Sequence, residues 1–213
     1  MTVELVHVTP NAEELIVKMA RVSAPKNESN METAPRLLRY LLKHSHVSPF
    51  EMANMCVAIN TTRGISAQII RHRSFSFQEF SQRYADVAAM GSPEVPELRR
   101  QDLKNRQNSI DDLTPEEKGS YYRRISALFE DAEHLYREMV SKGVAKECAR
   151  NVLPLASRTR IYMNGTLRSW IHYIQLRESH GTQREHQIIA KEIKAIFTEQ
   201  FPIIAEAAFD VLP

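Results

Sequence analysis

Glycine is scarce in this 213-residue chain, with six residues at positions 64, 91, 119, 143, 165 and 181. No two are spaced to build GxGxxG or GxxxxGKS/T, which excludes a Rossmann fingerprint and a P-loop. A phosphate ligand must then be met by arginine forks or isolated helix N-termini. Cysteine is scarcer still. Cys56 and Cys148 stand far apart without a CxxC partner, which argues against a disulfide framework or a thiolate zinc site and for a reducing cytoplasm. No apolar run approaches the roughly 20 residues that cross a bilayer. The opening "MTVELVHVTPNAEEL" lacks the basic start and apolar stretch of a signal peptide, so a soluble, unprocessed cytoplasmic protein is expected. An excess of one charge is missing too: 28 Lys+Arg face 26 Asp+Glu. No global field draws the chain to nucleic acid or to an anionic membrane, and any anion site must be a local cluster. There is no internal repeat and no low-complexity tract.

What is present suffices for one sizeable core, since 43% of the residues are apolar, and a single domain over 1–213 is expected. "TVELVHVT" alternates like a strand. Asn11 with Glu14 reads as a capped helix start, followed by a stripe of Leu15, Ile16, Met19 and Ala20. Leu37, Leu38, Leu41 and Leu42 repeat that pattern, Pro49 ends it, and "MCVAINT" reads as a strand. Thr62 caps a short helix that delivers Arg71. Residues 91–113 are polar, carry Pro93 and Pro96, and suggest a surface excursion. Thr114, Pro115 and Glu117 open the clearest helix, with Tyr121, Ile125, Leu128, Ala132, Leu135 and Met139 as its stripe and Gly143 closing it. "VAKECARNVL" reads as a shorter helix and "ASRTRIYMNG" as a strand. Thr166 then opens "LRSWIHYIQLRES", and a long helix runs from about Gln183 to Pro202. Several helices and at least three strands without βαβ alternation give an α+β fold, a mixed or antiparallel sheet flanked by helices.

The segment "IIRHRSFSFQEFSQRY", residues 69–84, concentrates arginine, serine and aromatic side chains. Read as a strand, it puts Arg71, Arg73, Phe75, Phe77, Glu79, Ser81 and Arg83 on one face and His72, Ser74, Ser76, Gln78, Phe80 and Gln82 on the other. Neither is a plain core face. Arg168 and His172, four apart, share a helical face, with Arg177 about half a turn away if the helix reaches it. Taken alone, the segment supports an active site, an arginine-rich oligomer interface, or single-strand RNA binding with Phe75, Phe77 and Tyr84 stacking on bases. His44 and His46 lack an evident third metal ligand, so no metal is expected. Cys148 reads as a small helix-packing residue and Trp170 as a packing residue.

"RHRSFSFQEFS" is RHR, seven residues, then Ser, and it resembles the signature of the flavin-dependent thymidylate synthases. "AQII", "QRY", "KHSHVSPFE", "ECARNVLP" and "GTLRSWIHYIQLRESHGTQRE" resemble family segments in the right order and spacing. Residues 85–113 are the least diagnostic. The chain has Gln78 where the family often has Asn, and Thr166-Leu167-Arg168-Ser169 where some members have Asn-Ala-Arg-Ser.

The resemblance implies reductive methylation of dUMP to dTMP with methylenetetrahydrofolate, FAD and NADPH. It also implies an obligate homotetramer with active sites between subunits, and no nucleic-acid or membrane partner. By resemblance, Ser48, Arg71, His72, Arg73, Glu79, Thr166, Leu167, Arg168 and His172 hold FAD. Gln68, Arg71, Glu79, Phe80, Ser81, Gln82, Arg83, Arg150 and Arg177 surround dUMP, and His46 faces the folate and nicotinamide side. Arg177 is the catalytic candidate, because a guanidinium beside the uracil N3 and carbonyl stabilises developing negative charge. Ser81 invites a nucleophile reading, but no adjacent base is evident, which favours a hydrogen-bonding role.

Overall fold

The structure, a computed structural model, describes residues 1–209. In chain order it comprises β1 (Thr2–Val8), α1 (Ala12–Ala20), α2 (Ala34–Lys43), β2 (Asn54–Thr62), α3 (Arg63–Ile69), β3 (Ser76–Glu79), β4 (Arg100–Gln101) and β5 (Ser109–Ile110). There follow α4 (Pro115–Ser141), α5 (Lys146–Ala149), β6 (Arg158–Thr166), α6 (Leu167–Arg177), α7 (Arg184–Gln200) and α8 (Pro202–Phe209). Four strands form one sheet in the order β1-β2-β6-β3, and β4 pairs antiparallel with β5. β2 and β6 also run antiparallel. The Leu167 N–H donates to the Ala53 carbonyl beyond one end, and the Arg63 N–H to the Ser157 carbonyl beyond the other. The fold is α+β.

Two compact units divide the chain, with boundaries that fall inside β2, between Arg71 and His72, between β3's Phe77 and Gln78, and inside β6. The first holds Met1–Ile59, His72–Phe77 and the chain from Tyr162 on. Its core is built on α6, whose Leu167, Trp170, Tyr173 and Ile174 are fully buried. Trp170 spends its one polar atom well: Nε1–H donates to the Met55 carbonyl at 2.9 Å. The Phe75 ring meets Trp170 edge-on at 4.7 Å, and that position requires a glycine on β6. A Cβ at Gly165 would lie 2.4 Å from Phe75 Cδ1, a close approach that only a bare backbone permits. α7 closes the other side with Ile189, Ala190, Ile193 and Phe197.

The second unit holds Asn60–Arg71 and Gln78–Ile161. Thr62 caps α3 as the sequence predicts, its Oγ1 accepting the Ile65 N–H at 3.4 Å. α4 begins with a complete capping box. Thr114 Oγ1 accepts the Glu117 N–H at 3.2 Å, and Glu117 Oε2 accepts the Thr114 N–H at 2.8 Å. At its far end Gly143 takes φ +86, the left-handed conformation glycine supplies at a helix C-terminus.

Five local readings need correction. Asn11 stands at the N-cap of α1 but in the left-handed region, φ 51, with no side-chain cap bond, so the Asn11–Glu14 pairing does not form. The buried face of α1 is Ala12, Ile16 and Val17, and Met19 is exposed. The stripe on α4 is not buried either: Tyr136 is its one buried residue, while Tyr121, Leu128 and Leu135 are exposed. The segment from 71 to 83 is not one strand. Only Ser76–Glu79 pairs, because the chain turns at 71–74 before it. Cys148 is exposed, and Ala149 takes the packing position on α5.

Candidate functional site

In the first unit, Arg177 lies on the last turn of α6, four residues beyond Tyr173 and so on the same helical face. Its Nε–H donates to His72 Nε2 at 2.8 Å. An accepting nitrogen must carry a lone pair, which assigns the His72 proton to Nδ1 and makes the ring neutral. Burial, then the Arg177 guanidinium and the neighbouring His172, hold the His72 pKa down to about 4. The Tyr173 ring lies edge-on to His72 at 4.8 Å. The Tyr173 hydroxyl in turn sits 2.9 Å from Nε2 of His186, a fully buried imidazole. Burial is also the main cause that pushes His186 down to about 3 and the Tyr173 phenol up. The Arg177 NH1 and NH2 groups have no hydrogen-bond partner among the described residues.

The opposite side of α6 faces a cavity of about 1260 Å³ with a mixed wall. Arg168 and His172 line it together with Arg39, Lys43 and Ser74, as the four-residue spacing of the first two predicts. Arg168 NH1 is paired with Glu51 across the wall, both side chains about half exposed. Thr166 caps α6 through the Ser169 N–H. Ser48 opens the 3-10 turn Ser48–Glu51, and both it and His46 are exposed. Arg73 is exposed, whereas His72 turns inward. Leu167 does not join the polar set. Its side chain is fully buried in the core and its N–H is taken by Ala53.

The second unit holds the other candidates. Glu79, at the end of β3, is the most constrained: its Oε1 accepts Ser66 Oγ–H at 2.7 Å and Thr159 Oγ1–H at 2.9 Å and forms an ion pair with Arg63 NH1 at 2.5 Å. Gln68 is half-buried on α3, and Arg71 is exposed just after it. The Phe80 N–H donates to the Arg160 carbonyl at 2.9 Å. Gln82 is buried with Nε2 unpartnered. Ser81 and Arg83 line a small pocket with Tyr84, Lys146 and Glu147, of about 380 Å³. Arg83 pairs there with Glu147 at 2.8 Å, both exposed. Arg150 is half-buried at the start of a 3-10 turn. The stacking platform of the RNA-binding reading is not available, because Phe75 is buried in the first unit's core and Phe77 is half-buried. Among the described residues no three or more His, Cys, Asp or Glu side chains gather as metal ligands.

A family model described as thymidylate synthase complementing protein matches residues 4–203. The chain is also 52% identical over 196 residues to a probable flavin-dependent thymidylate synthase of Paramecium bursaria Chlorella virus 1, covering 92% of this chain and 90% of that protein. The chain belongs to the flavin-dependent thymidylate synthase family. A flavin-dependent thymidylate synthase of Synechocystis is 48% identical over 195 residues, 92% of this chain and 88% of its own. Among solved structures, the UMP/dUMP methylase PolB of Streptomyces cacaoi, bound with 5-Br dUMP, superposes with a TM-score of 0.86 at 29% identity. That match covers 97% of this chain and 93% of PolB.

Within this family framework, sequence reading misses three kinds of residue. Glu51 lies inside a recognisable segment, but its pairing with Arg168, 117 positions away, has no local signal. Tyr173 was within reach, since it stands four residues before Arg177 on a helix already assigned. Arg63, Ser66 and Thr159 are visible as helix and strand residues, and only the fold shows that they meet at one oxygen.

Proposed function

We propose that this protein converts dUMP to dTMP by reductive methylation, with methylenetetrahydrofolate as carbon donor, FAD as hydride carrier and NADPH as reductant. The observation that carries the reading is the Arg177 fork. Its Nε is committed to neutral His72 while both terminal nitrogens are open among the described residues, which leaves two parallel donors for a planar ligand edge. Set against the uracil N3 and carbonyl, this guanidinium stabilises negative charge that builds on the ring. His72 orients it: a neutral acceptor fixes Nε without cancelling the charge that does the work.

The residues fit a flavin. A chain without a glycine loop needs cationic side chains for the diphosphate, and Arg39, Lys43, Arg168 and His172 line one cavity. Arg168 and His172, with Ser48, Arg71, His72, Arg73, Glu79 and Thr166, are assigned to FAD, and His46 to the folate and nicotinamide side. When bound, the flavin supplies hydride transfer. The dUMP set is Gln68, Arg71, the run Glu79–Arg83, Arg150 and Arg177. Supporting it, Ser81, Arg83 and Lys146 line a pocket suited to a phosphate, and the buried Gln82 amide has a donor to spare. Ser81 acts as a hydrogen-bond donor, since among the described residues no base is bonded to its hydroxyl.

Assembly as a homotetramer with active sites between subunits accounts for α4, a 27-residue helix that leaves Tyr121, Tyr122, Leu128 and Leu135 exposed. A reducing cytoplasm suits two unpaired cysteines. No helix among the described residues is long and apolar enough to cross a membrane. The test is direct. The purified protein is yellow, its flavin bleaches under NADPH without oxygen, and dUMP with methylenetetrahydrofolate yields dTMP. A colourless protein that takes up no added FAD would refute the reading.

A further inference from the structure

We infer that Arg63, Ser66 and Thr159 are positioning residues that lock Glu79 through one oxygen, so that the other, Oε2, is presented as a fixed acceptor for a ligand N–H or O–H. The inference rests on the dUMP and FAD reading above, and it names what holds the acceptor rather than the ligand alone.

A carboxylate has about four acceptor sites spread over two oxygens. Here the two hydroxyls donate to Oε1 at 2.7 and 2.9 Å, Arg63 NH1 forms an ion pair with the same oxygen at 2.5 Å, and Oε2 receives no hydrogen bond among the described residues. A glutamate that merely tied β3 to its neighbours would share its donors between both oxygens, most simply through a two-nitrogen Arg63 fork. Arg63 makes its closest approach through NH1, to the same Oε1. The bare oxygen is not an ordinary solvated one either, because the Glu79 side chain keeps only 19% of its exposure.

The donors come from two directions. Arg63 and Ser66 are one turn apart on α3, and Thr159 reaches in from β6. Their convergence removes the rotamer freedom that a free glutamate would lose on binding, so that cost is met when the protein folds. An anionic acceptor repels phosphate and selects a donor. In dUMP the donors are the uracil N3–H and the sugar hydroxyl; in the flavin they are the ring N–H and the ribityl hydroxyls.

The experiment compares Thr159→Val, which keeps the shape and removes the hydroxyl, with Thr159→Ser, which restores it, and adds Ser66→Ala and Glu79→Gln. FAD affinity is measured on the stripped protein and dUMP affinity on the FAD-loaded protein, both by calorimetry, with kcat, KM and a thermal melt alongside. Thr159→Val and Ser66→Ala each weaken one ligand roughly two- to tenfold, the worth of about one hydrogen bond. For dUMP this is a rise in KM with little change in kcat. Thr159→Ser returns the affinity to that of the parent. Glu79→Gln keeps an oxygen for the three donors and turns the outward atom into a donor, so it weakens the same ligand more than tenfold. Loss confined to dUMP identifies the nucleotide as the ligand, and loss confined to FAD identifies the flavin; either supports the lock. Unchanged affinity for both ligands in the two hydroxyl deletions, with normal melts, overturns it. Should the parent protein bind both ligands yet form no dTMP, the proposed reaction fails while the lock is still decided by the calorimetry.

Discussion

Replacing His186 by glutamine removes one of two imidazoles that the native chain keeps neutral by burial. The usual histidine value is 6.5, and the folded values are about 4 for His72 and about 3 for His186. Both are depressed, so the unfolded chain binds protons that the native chain refuses. Stability is therefore fully present above about pH 6.5 and falls as pH drops toward 4 and then 3. Each such group contributes a slope of about 1.4 kcal/mol per pH unit, so the parent loses nearly 3 kcal/mol per unit through the pair once below pH 6. Glu13 works in the opposite direction, because burial raises its pKa, but it is common to both proteins and cancels in their difference. His186→Gln, which keeps a partner for the Tyr173 hydroxyl, costs about 1 to 3 kcal/mol at pH 7.5. That cost shrinks by about 1.4 kcal/mol per pH unit below pH 6 and is nearly gone at pH 5. Urea unfolding of both proteins at pH 7.5, 6.0, 5.5 and 5.0, with FAD in fixed excess, reads the difference. A gap that stays constant across this range refutes the neutral, buried assignment of His186.

Gly165→Ala drives a Cβ into Phe75 Cδ1 and Cε1, at 2.4 and 2.6 Å, on a ring already lodged against Trp170. The overpacking costs about 1–3 kcal/mol and lowers Tm by several degrees; an unchanged Tm shows that the ring moves aside freely. Arg177→Ala retains FAD, read from the flavin spectrum, and loses most dTMP formation. Near-normal turnover removes Arg177 from the mechanism. Thr114→Ala deletes half of the α4 capping box and destabilises by about 1 kcal/mol, with Thr114→Ser restoring most of it; equal melts for all three exclude a capping contribution.

The parts of the fold that were legible share a local cause. Thr62, Thr114 and Thr166 each place a cap oxygen within three residues of the N–H it serves, and β6 alternates buried and exposed positions along its length. Asn11 shows the limit of the same logic, since its type suits a cap but its left-handed backbone aims the side chain elsewhere. Apolar stripes proved less decisive than caps. The stripe read on α1 is buried only in part, and the one on α4 leaves Tyr121, Leu128 and Leu135 exposed. Periodicity fixes which residues share a face, and says nothing of whether this chain alone covers it. The signature segment misled for a further reason: the chain turns before Ser76, so β3 covers only Ser76–Glu79, and the turn leaves His72 half-buried and Arg73 exposed.

A sequence counts arginines but cannot show how each nitrogen is spent, and that expenditure separates the site residues from one another. Arg168 and Arg83 are paired with carboxylates at the surface, Glu51 and Glu147. Such exposed pairs are worth roughly 0–1 kcal/mol, so either arginine can be handed to a phosphate at little cost. Arg63 is different, since it anchors a carboxylate that two hydroxyls also hold. Arg177 is different again. Its one side-chain partner is a neutral imidazole, so a half-buried guanidinium keeps a charge that no carboxylate cancels. A charge held in place without its counterion is costly to a resting protein and useful to a reacting one. Negative charge on a bound ligand would offset it. The sequence segments name the arginines, and the fold shows that Arg63, Arg83 and Arg168 meet carboxylates while Arg177 Nε is held by neutral His72.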